Sequence, residues 1–138
     1  MNRMTQPQSV PTILLVEDDP MIRPLLRRML EGAGYDLLVA KNGDEALTLA
    51  NEHPGVIDLL LTDVVMPRMN GFELGGYIGK AHPETNVLFV SGYAADSSSV
   101  REGLRTARQA FLLKPFTKDA LLGKIKEVLE SSPLVPGD

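Results

Sequence analysis

The 138-residue sequence contains no cysteine, no surplus of basic residues and no long apolar run. Without cysteine the chain can form neither a disulfide nor a thiolate metal site. Its formal net charge of −4 argues against a surface made for nucleic acid or an anionic membrane, which needs a basic balance. No apolar stretch approaches the roughly 18–20 residues of a membrane span, and the N-terminus lacks the apolar segment of a signal peptide. We therefore expect a cytoplasmic protein that binds neither nucleic acid nor membrane.

The common nucleotide-binding motifs are also missing, since the chain has neither a G-x-G-x-x-G nor a Walker sequence. Its two histidines, His53 and His82, each precede a proline at the end of a predicted helix. That position favours a helix-terminal role over metal ligation. Metal ligands are therefore to be sought among the acidic residues.

What the chain does contain is the composition of a globular protein, with 43% hydrophobic and 23% charged residues. Residues 1–11 and 131–138 are polar and contain prolines, which predicts a flexible lead-in and a flexible tail. Between them there is no linker and no internal repeat. A single domain is therefore expected at residues 12–130.

Short β-rich segments alternate with amphipathic ones along this domain. The first helix is expected to run from residue 22 to the Gly32-Ala33-Gly34 sequence. The third predicted helix is weakened by its glycines, and the fourth has a glycine and only a weak apolar stripe. Such alternation predicts an α/β sandwich around a parallel sheet, in which functional groups collect beyond the carboxyl ends of the strands. We predict strands at residues 12–17, 35–40, 57–62, 86–91 and 109–113, and later helices at 44–53, 72–81, 97–107 and 118–130.

Four of the five predicted strands end in polar or charged residues, which are Asp18 and Asp19, Asp63, Ser91, and Lys114. Carboxylates that meet at one edge of the sheet repel one another unless a cation neutralises them. Mg²⁺ suits a site with few carboxylates and with room for water and a phosphoryl group. A lysine and a hydroxyl are the donors that phosphoryl oxygens need. The residues alone therefore predict an anion-accepting Mg²⁺ site built around one aspartate nucleophile.

The motifs at these strand ends form an ordered set: the Asp18-Asp19 pair, Asp63 with Met66-Pro67 and Gly71 after it, Ser91-Gly92, and Lys114-Pro115. Any one of them is a weak signal, but all of them in order, each at a strand end, are specific. The set resembles the response-regulator receiver family, whose simplest member is the bacterial chemotaxis regulator, and the resemblance covers residues 13–129. It implies a flavodoxin-like, doubly wound (βα)5 sandwich whose five parallel strands have the order 2-1-3-4-5.

The resemblance also implies a role for each acidic residue. Asp63 accepts a phosphoryl group from a histidine kinase or phosphotransfer protein and, with Asp19, binds Mg²⁺ through a carboxylate oxygen. Asp18 binds the same ion through water, and Val65 binds it through the backbone carbonyl. Such a protein is a signalling switch rather than an enzyme, although it assists its own Mg²⁺-dependent phosphorylation and dephosphorylation.

The remaining matching residues are implied to bind the phosphoryl group and to transmit its arrival. Ser91 and Lys114 hold phosphoryl oxygens, the bond between Lys114 and Pro115 is cis, and Phe111 turns inward as Ser91 moves. This movement alters a face formed by the fourth predicted helix, the fifth strand and the fifth predicted helix. A downstream protein target is expected to bind that face.

Two other functions share some of these features. An adaptor that kept the fold but not the phosphorylation would have a broken acidic set, whereas the set is complete here. A hydrolase of the haloacid-dehalogenase type needs a second acid two residues after the nucleophile, where this chain has Val65. The phosphoacceptor switch is therefore the preferred interpretation.

Two residues are expected to set the lifetime of the aspartyl-phosphate. In the receiver family the positions of Val65 and Tyr93 lie beside the path of the hydrolytic water, and neither side chain favours hydrolysis. We therefore expect a long-lived phosphoprotein, as a relay requires. With no output domain recognised after residue 130, we expect the readout to be a partner protein or another part of a longer protein. The fourth strand with its exit resembles receivers joined to hybrid histidine kinases.

Overall fold

The computed structural model describes residues 10–92 and 109–130. Residues 1–9 of the predicted lead-in, the predicted fourth helix at 97–107 and the predicted tail at 131–138 lie outside the described residues. The flexible ends and the domain limits at 12 and 130 therefore stay predictions.

The described residues form five strands and four helices, which alternate as expected. All strands are parallel and lie in the order β2-β1-β3-β4-β5, so the predicted fold class is confirmed. In chain order the elements are β1 (Thr12–Val16), α1 (Ile22–Gly32), β2 (Asp36–Ala40), α2 (Gly43–Glu52), β3 (Leu59–Asp63), α3 (Gly71–Ala81), β4 (Asn86–Ser91), β5 (Gln109–Leu113) and α4 (Lys118–Glu130).

The sheet has a core on each face, which explains why its central strands are almost continuously apolar. On one face Leu14, Leu60 and Phe89 pack with buried residues of α2 and α3. On the other face Leu15 and Leu88 pack with buried residues of α1 and α4. The edge strands β2 and β5 are only partly buried, because each has a neighbouring strand on one side alone.

The strand β3 begins later than predicted and includes Asp63. Asp58 lies before it, and its carboxylate Oδ2 accepts a hydrogen bond from the backbone N of Thr12 at 2.8 Å. The backbone N of Asp58 also donates to the O of Thr12, and its O accepts from the N of Asn86. The paired ladder with β1 starts at the next residue, Leu59. At the other end, Asp63 is the last residue of this fully buried strand.

Helix termini agree with the local sequence signals. The first helix ends before Gly34, whose φ of 97° is the left-handed conformation common just after a helix. Asn70 caps α3 in a capping box with Glu73, so the helix begins immediately after the β3–α3 loop. Within residues 10–92 and 109–130, no helix combines the length and the apolar character needed to span a membrane.

Candidate functional site

The carboxyl edge of the sheet brings the predicted polar residues together. Glu17 and Asp18 follow β1, Asp63 ends β3, Ser91 ends β4, and Lys114 follows β5. Since these strands are parallel neighbours in the centre and on one side of the sheet, their ends lie side by side.

Three carboxylates form the acidic cluster of this edge, namely those of Glu17, Asp18 and Asp63. One oxygen from each lies within 4.8 Å of the other two. Glu17 and Asp63 are buried, with 2% and 7% of their surface exposed. The ammonium group of Lys114 lies 2.8 Å from Asp63 Oδ1 and 3.8 Å from Glu17 Oε1, so one cation bridges two of the three acids.

The electrostatics of the cluster show that one lysine does not balance it. Burial and the negative charge of Asp63 raise the pKa of Glu17 from 4.5 to about 7. Burial works against the charge on Lys114, but its hydrogen bond to Asp63 and the charges of Asp63 and Glu17 raise its pKa on balance. The acidic group therefore favours a proton or a further cation. A set of close carboxylate oxygens is the donor type that Mg²⁺ prefers, so the residues fit this ion.

Asp19, which was expected as a direct metal ligand, lies outside that cluster. Its Oδ1 accepts hydrogen bonds from the backbone N of Met21 at 2.8 Å and of Ile22 at 3.4 Å, at the start of α1. Glu17 lies in the cluster instead, since it is the residue that directly follows the buried end of β1. The signal that could have identified it is the position of Glu17 directly after four buried residues of β1.

Val65 lies in the loop between β3 and α3, two residues after Asp63, with 74% of its surface exposed. This loop is closed by a hydrogen bond from the N of Gly71 to the O of Val64 at 2.8 Å. A Cβ on Gly71 would collide with the carbonyl oxygen of Asp63, so only glycine fits there without movement of the chain. The packing of Gly71 therefore sets how the loop leaves Asp63.

The predicted phosphoryl-binding and switch residues occupy neighbouring strands. Ser91 is buried, and its carbonyl accepts a hydrogen bond from the N of Lys114 at 2.8 Å. The bond between Lys114 and Pro115 is cis, as predicted. Phe111 is partly buried on β5, where it pairs in register with Phe89 of β4. Tyr93 belongs to a segment that the structure does not describe.

Fold and site together define a class of protein: a doubly wound α/β domain with a lysine-bridged acidic cluster at the carboxyl edge of its sheet. The family model of the response regulator receiver domain matches residues 13–126. Sensor kinase CckA of Brucella abortus (strain 2308) is 41% identical over 119 residues, which make up 86% of this chain and 12% of the kinase. Response regulator receiver protein CpdR of the same strain is 37% identical over 122 residues, covering 85% of this chain and 95% of CpdR.

A solved structure gives the same result. The crystal structure of a CheY-like response regulator receiver domain protein from Methanospirillum hungatei JF-1 is similar with a TM-score of 0.78 and 32% identity, over 90% of this chain and 97% of that one. The chain belongs to the response regulator receiver family. It is thus a phosphoacceptor domain of two-component signalling, a signalling switch and not a classical enzyme.

Proposed function

We propose that Asp63 is the residue that accepts the phosphoryl group. The observation that carries this assignment is the burial of Asp63 at the end of β3 with the ammonium group of Lys114 only 2.8 Å away. A carboxylate oxygen of Asp63 forms the new bond to phosphorus, while the bond to the donor's leaving group breaks. Lys114 neutralises negative charge on the transferring group, and Ser91 supplies a hydroxyl to one of its oxygens.

The acidic cluster is proposed to hold Mg²⁺ through Glu17, Asp18 and Asp63, with the backbone carbonyl of Val65 as a further oxygen ligand. The three carboxylates support this because their oxygens already lie within 4.8 Å of one another. When bound, the ion supplies positive charge to the phosphoryl oxygens. Asp19 contributes by fixing the start of α1, since its carboxylate is already used by two backbone N–H groups.

The partners follow from the proposed chemistry. A histidine kinase or a phosphotransfer protein donates the phosphoryl group, and a downstream protein binds the face that includes β5 and α4. The half-exposed Leu113 at the end of β5 supports this, because the edge of the sheet presents apolar surface there. Ser91 and Phe111 are the proposed switch residues, since Phe111 lies on β5 of that face and Ser91 on the neighbouring strand β4.

The acceptor is tested with a small phosphodonor. Wild-type protein incubated with acetyl phosphate and Mg²⁺ is expected to gain one acid- and base-labile phosphoryl group, measured by intact mass. Asp63→Asn should not gain it, because the amide is not a nucleophile, whereas its similar volume preserves the fold. Asp36→Asn is the matched control, since Asp36 is an exposed aspartate at the opposite end of the parallel sheet. Labelling of Asp63→Asn at the wild-type level would place the acceptor elsewhere.

A second comparison separates the two assignments of the metal ligands. Asp19→Asn keeps the oxygen that caps α1, so Mg²⁺ affinity is expected to stay near that of the wild type. Glu17→Gln removes a charged ligand and should weaken Mg²⁺ binding strongly. A titration followed by calorimetry measures both dissociation constants. If Asp19→Asn weakens binding and Glu17→Gln does not, the ligand set proposed from the structure is wrong.

A further inference from the structure

A tight contact links the loop after Asp63 to the start of α2. Gly43, the first residue of α2, is buried beside the side chain of Met69. A methyl group placed on Gly43 would lie 2.6 Å from Met69 Sδ and 3.1 Å from both Met69 Cβ and Cγ. The flexible sulfur end can swing away, but the Cβ moves only with the backbone of the loop. The absence of a side chain at Gly43 is therefore what allows Met69 to lie where it does.

The same loop contains a turn that needs outside support. The N of Met69 donates a hydrogen bond to the O of Pro67 at 2.7 Å, which places Arg68 at the centre of a γ-turn with a φ of 70°. This left-handed conformation is unfavourable for arginine and persists only where the surroundings enforce it. The ion pair of Arg68 with Asp44 spans 3.9 Å between two well-exposed side chains, so it contributes little. Packing of Met69 against Gly43 is the stronger restraint.

The loop is anchored on the other side of Val65 as well. Met66 is buried with 7% of its surface exposed, and its sulfur lies 3.8 Å from Thr62 Oγ1. The exposed Val65 thus lies between Asp63 and two anchoring methionines, one in the core and one against α2. Its backbone position depends on both anchors.

We propose that Gly43 and Met69 are positioning residues for the metal and phosphoryl site. Their contact holds the β3–α3 loop, which carries the backbone carbonyl of Val65 that is proposed as a metal ligand. This inference rests on the proposed function for its consequence in Mg²⁺ binding, but the loop geometry itself is independent of any ion. If Gly43 has this role, the N-terminus of α2 helps to determine metal affinity, although it carries no residue of the acidic cluster.

The test is Gly43→Ala, with Gly76→Ala as the matched control. Alanine favours helices over glycine, so neither change weakens its helix, and a methyl group on Gly76 meets no atom of the described residues within 4 Å. We expect the Mg²⁺ dissociation constant of Gly43→Ala to rise about five- to tenfold, at the lower end of the ~10–100-fold that loss of an outer-shell support of a metal ligand costs. At saturating Mg²⁺ the phosphorylation rate with acetyl phosphate should return towards that of the wild type. The control should match the wild type in both measurements.

Two further measurements test whether displacement of the loop by Met69 causes the loss of Mg²⁺ affinity in Gly43→Ala. In metal-free protein, amide exchange at Met69 and Gly71 should be faster in Gly43→Ala than in the wild type, which reports the loop position without any ion. In a Met69→Ala background the added Gly43→Ala change should weaken Mg²⁺ binding clearly less, because the contacts at 2.6 Å with Sδ and 3.1 Å with Cγ are gone and only the one at 3.1 Å with Cβ remains.

The outcomes separate this proposal from the proposed function. Wild-type exchange and wild-type affinity in Gly43→Ala would overturn the positioning role, as would an equal loss of affinity when Met69 is already alanine. Failure of the wild type itself to bind Mg²⁺ would refute the proposed metal site. In that case the amide exchange alone decides whether Gly43 and Met69 position the loop.

Discussion

Replacement of Glu17 by glutamine should make the metal-free protein more stable at neutral and alkaline pH. Glu17 is buried beside Asp63, and its pKa is raised from 4.5 to about 7 by burial and by that neighbouring charge. The folded state therefore holds the proton more tightly than the unfolded state does. By linkage, stability falls as pH rises from about 4.5 to about 7 and has lost this contribution above pH 7.

The size of the effect follows from the pKa. A rise from 4.5 to about 7 corresponds to about 3 kcal/mol, at about 1.4 kcal/mol for each pH unit. Glutamine carries no charge, and its side-chain oxygen can still accept the hydrogen bond that Glu17 Oε2 receives from the N of Asp19. We therefore expect Glu17→Gln to unfold about 10 °C above the wild type at pH 8 in a chelator, and close to it at pH 4.5.

Mg²⁺ should narrow the difference in stability between the two proteins at pH 8. The wild type gains stability by mass action as the ion binds its acidic cluster, whereas the variant has lost one charged ligand and gains less. Thermal unfolding followed by circular dichroism, at pH 4.5 and 8 with and without Mg²⁺, measures all four conditions. The reasoning fails if metal-free Glu17→Gln is no more stable than the wild type at pH 8, or if the difference is the same at both pH values.

Two other substitutions test the loop after Asp63. Gly71→Ala places a methyl group against the carbonyl oxygen of Asp63, so we expect a loss of about 1–3 kcal/mol in urea unfolding, while Gly76→Ala stays neutral or gains slightly. Equal stability of the two variants would contradict this. Val65→Asn adds a polar side chain that can orient a water, so phosphate release should be faster than in the wild type, whose phosphoprotein should last many minutes. A wild type that decays within seconds, or an asparagine variant that is no faster, would remove Val65 from control of the lifetime.

Much of the fold could be predicted because the sheet is covered on both faces. The strand β4 (Asn86–Ser91) is apolar between its two end residues, so its pattern can be recognised without deciding which side faces the core, and its predicted limits are confirmed. The helix α4 (Lys118–Glu130) was also predicted with its exact limits, since its apolar residues recur at helical spacing. The predicted start of β3, at residue 57, was wrong: the strand begins at Leu59, and the hydrogen bond that the Asp58 carboxylate accepts from Thr12 just before it follows no periodic pattern.

The site was harder to predict at single-residue resolution. The positions of Asp63 and Lys114 at the carboxyl edge of the sheet could be predicted because Asp63 ends one apolar strand and Lys114 directly follows another. The sequence analysis named the pair Asp18-Asp19, whereas the carboxylates of Glu17 and Asp18 lie in the cluster and that of Asp19 turns back to the start of α1. Which carboxylates meet is decided by differences of a few ångströms in the course of the backbone, and the sequence does not reveal these. Contacts such as Met69 with Gly43 join segments far apart in the chain, so no local pattern indicates them.

Lys114 connects the acidic cluster to the end of β4 through two different groups of its own. Its ammonium group lies between Asp63 and Glu17, whereas its backbone N donates to the carbonyl of Ser91. If Asp63 carries a phosphoryl group, as we propose, the ammonium group gains new oxygen partners, and the backbone bond transmits any shift directly to the end of β4. Phe111 lies three residues earlier on β5 and pairs with the same strand. A change of charge at Asp63 thus has a short, hydrogen-bonded route to the face proposed for the downstream partner.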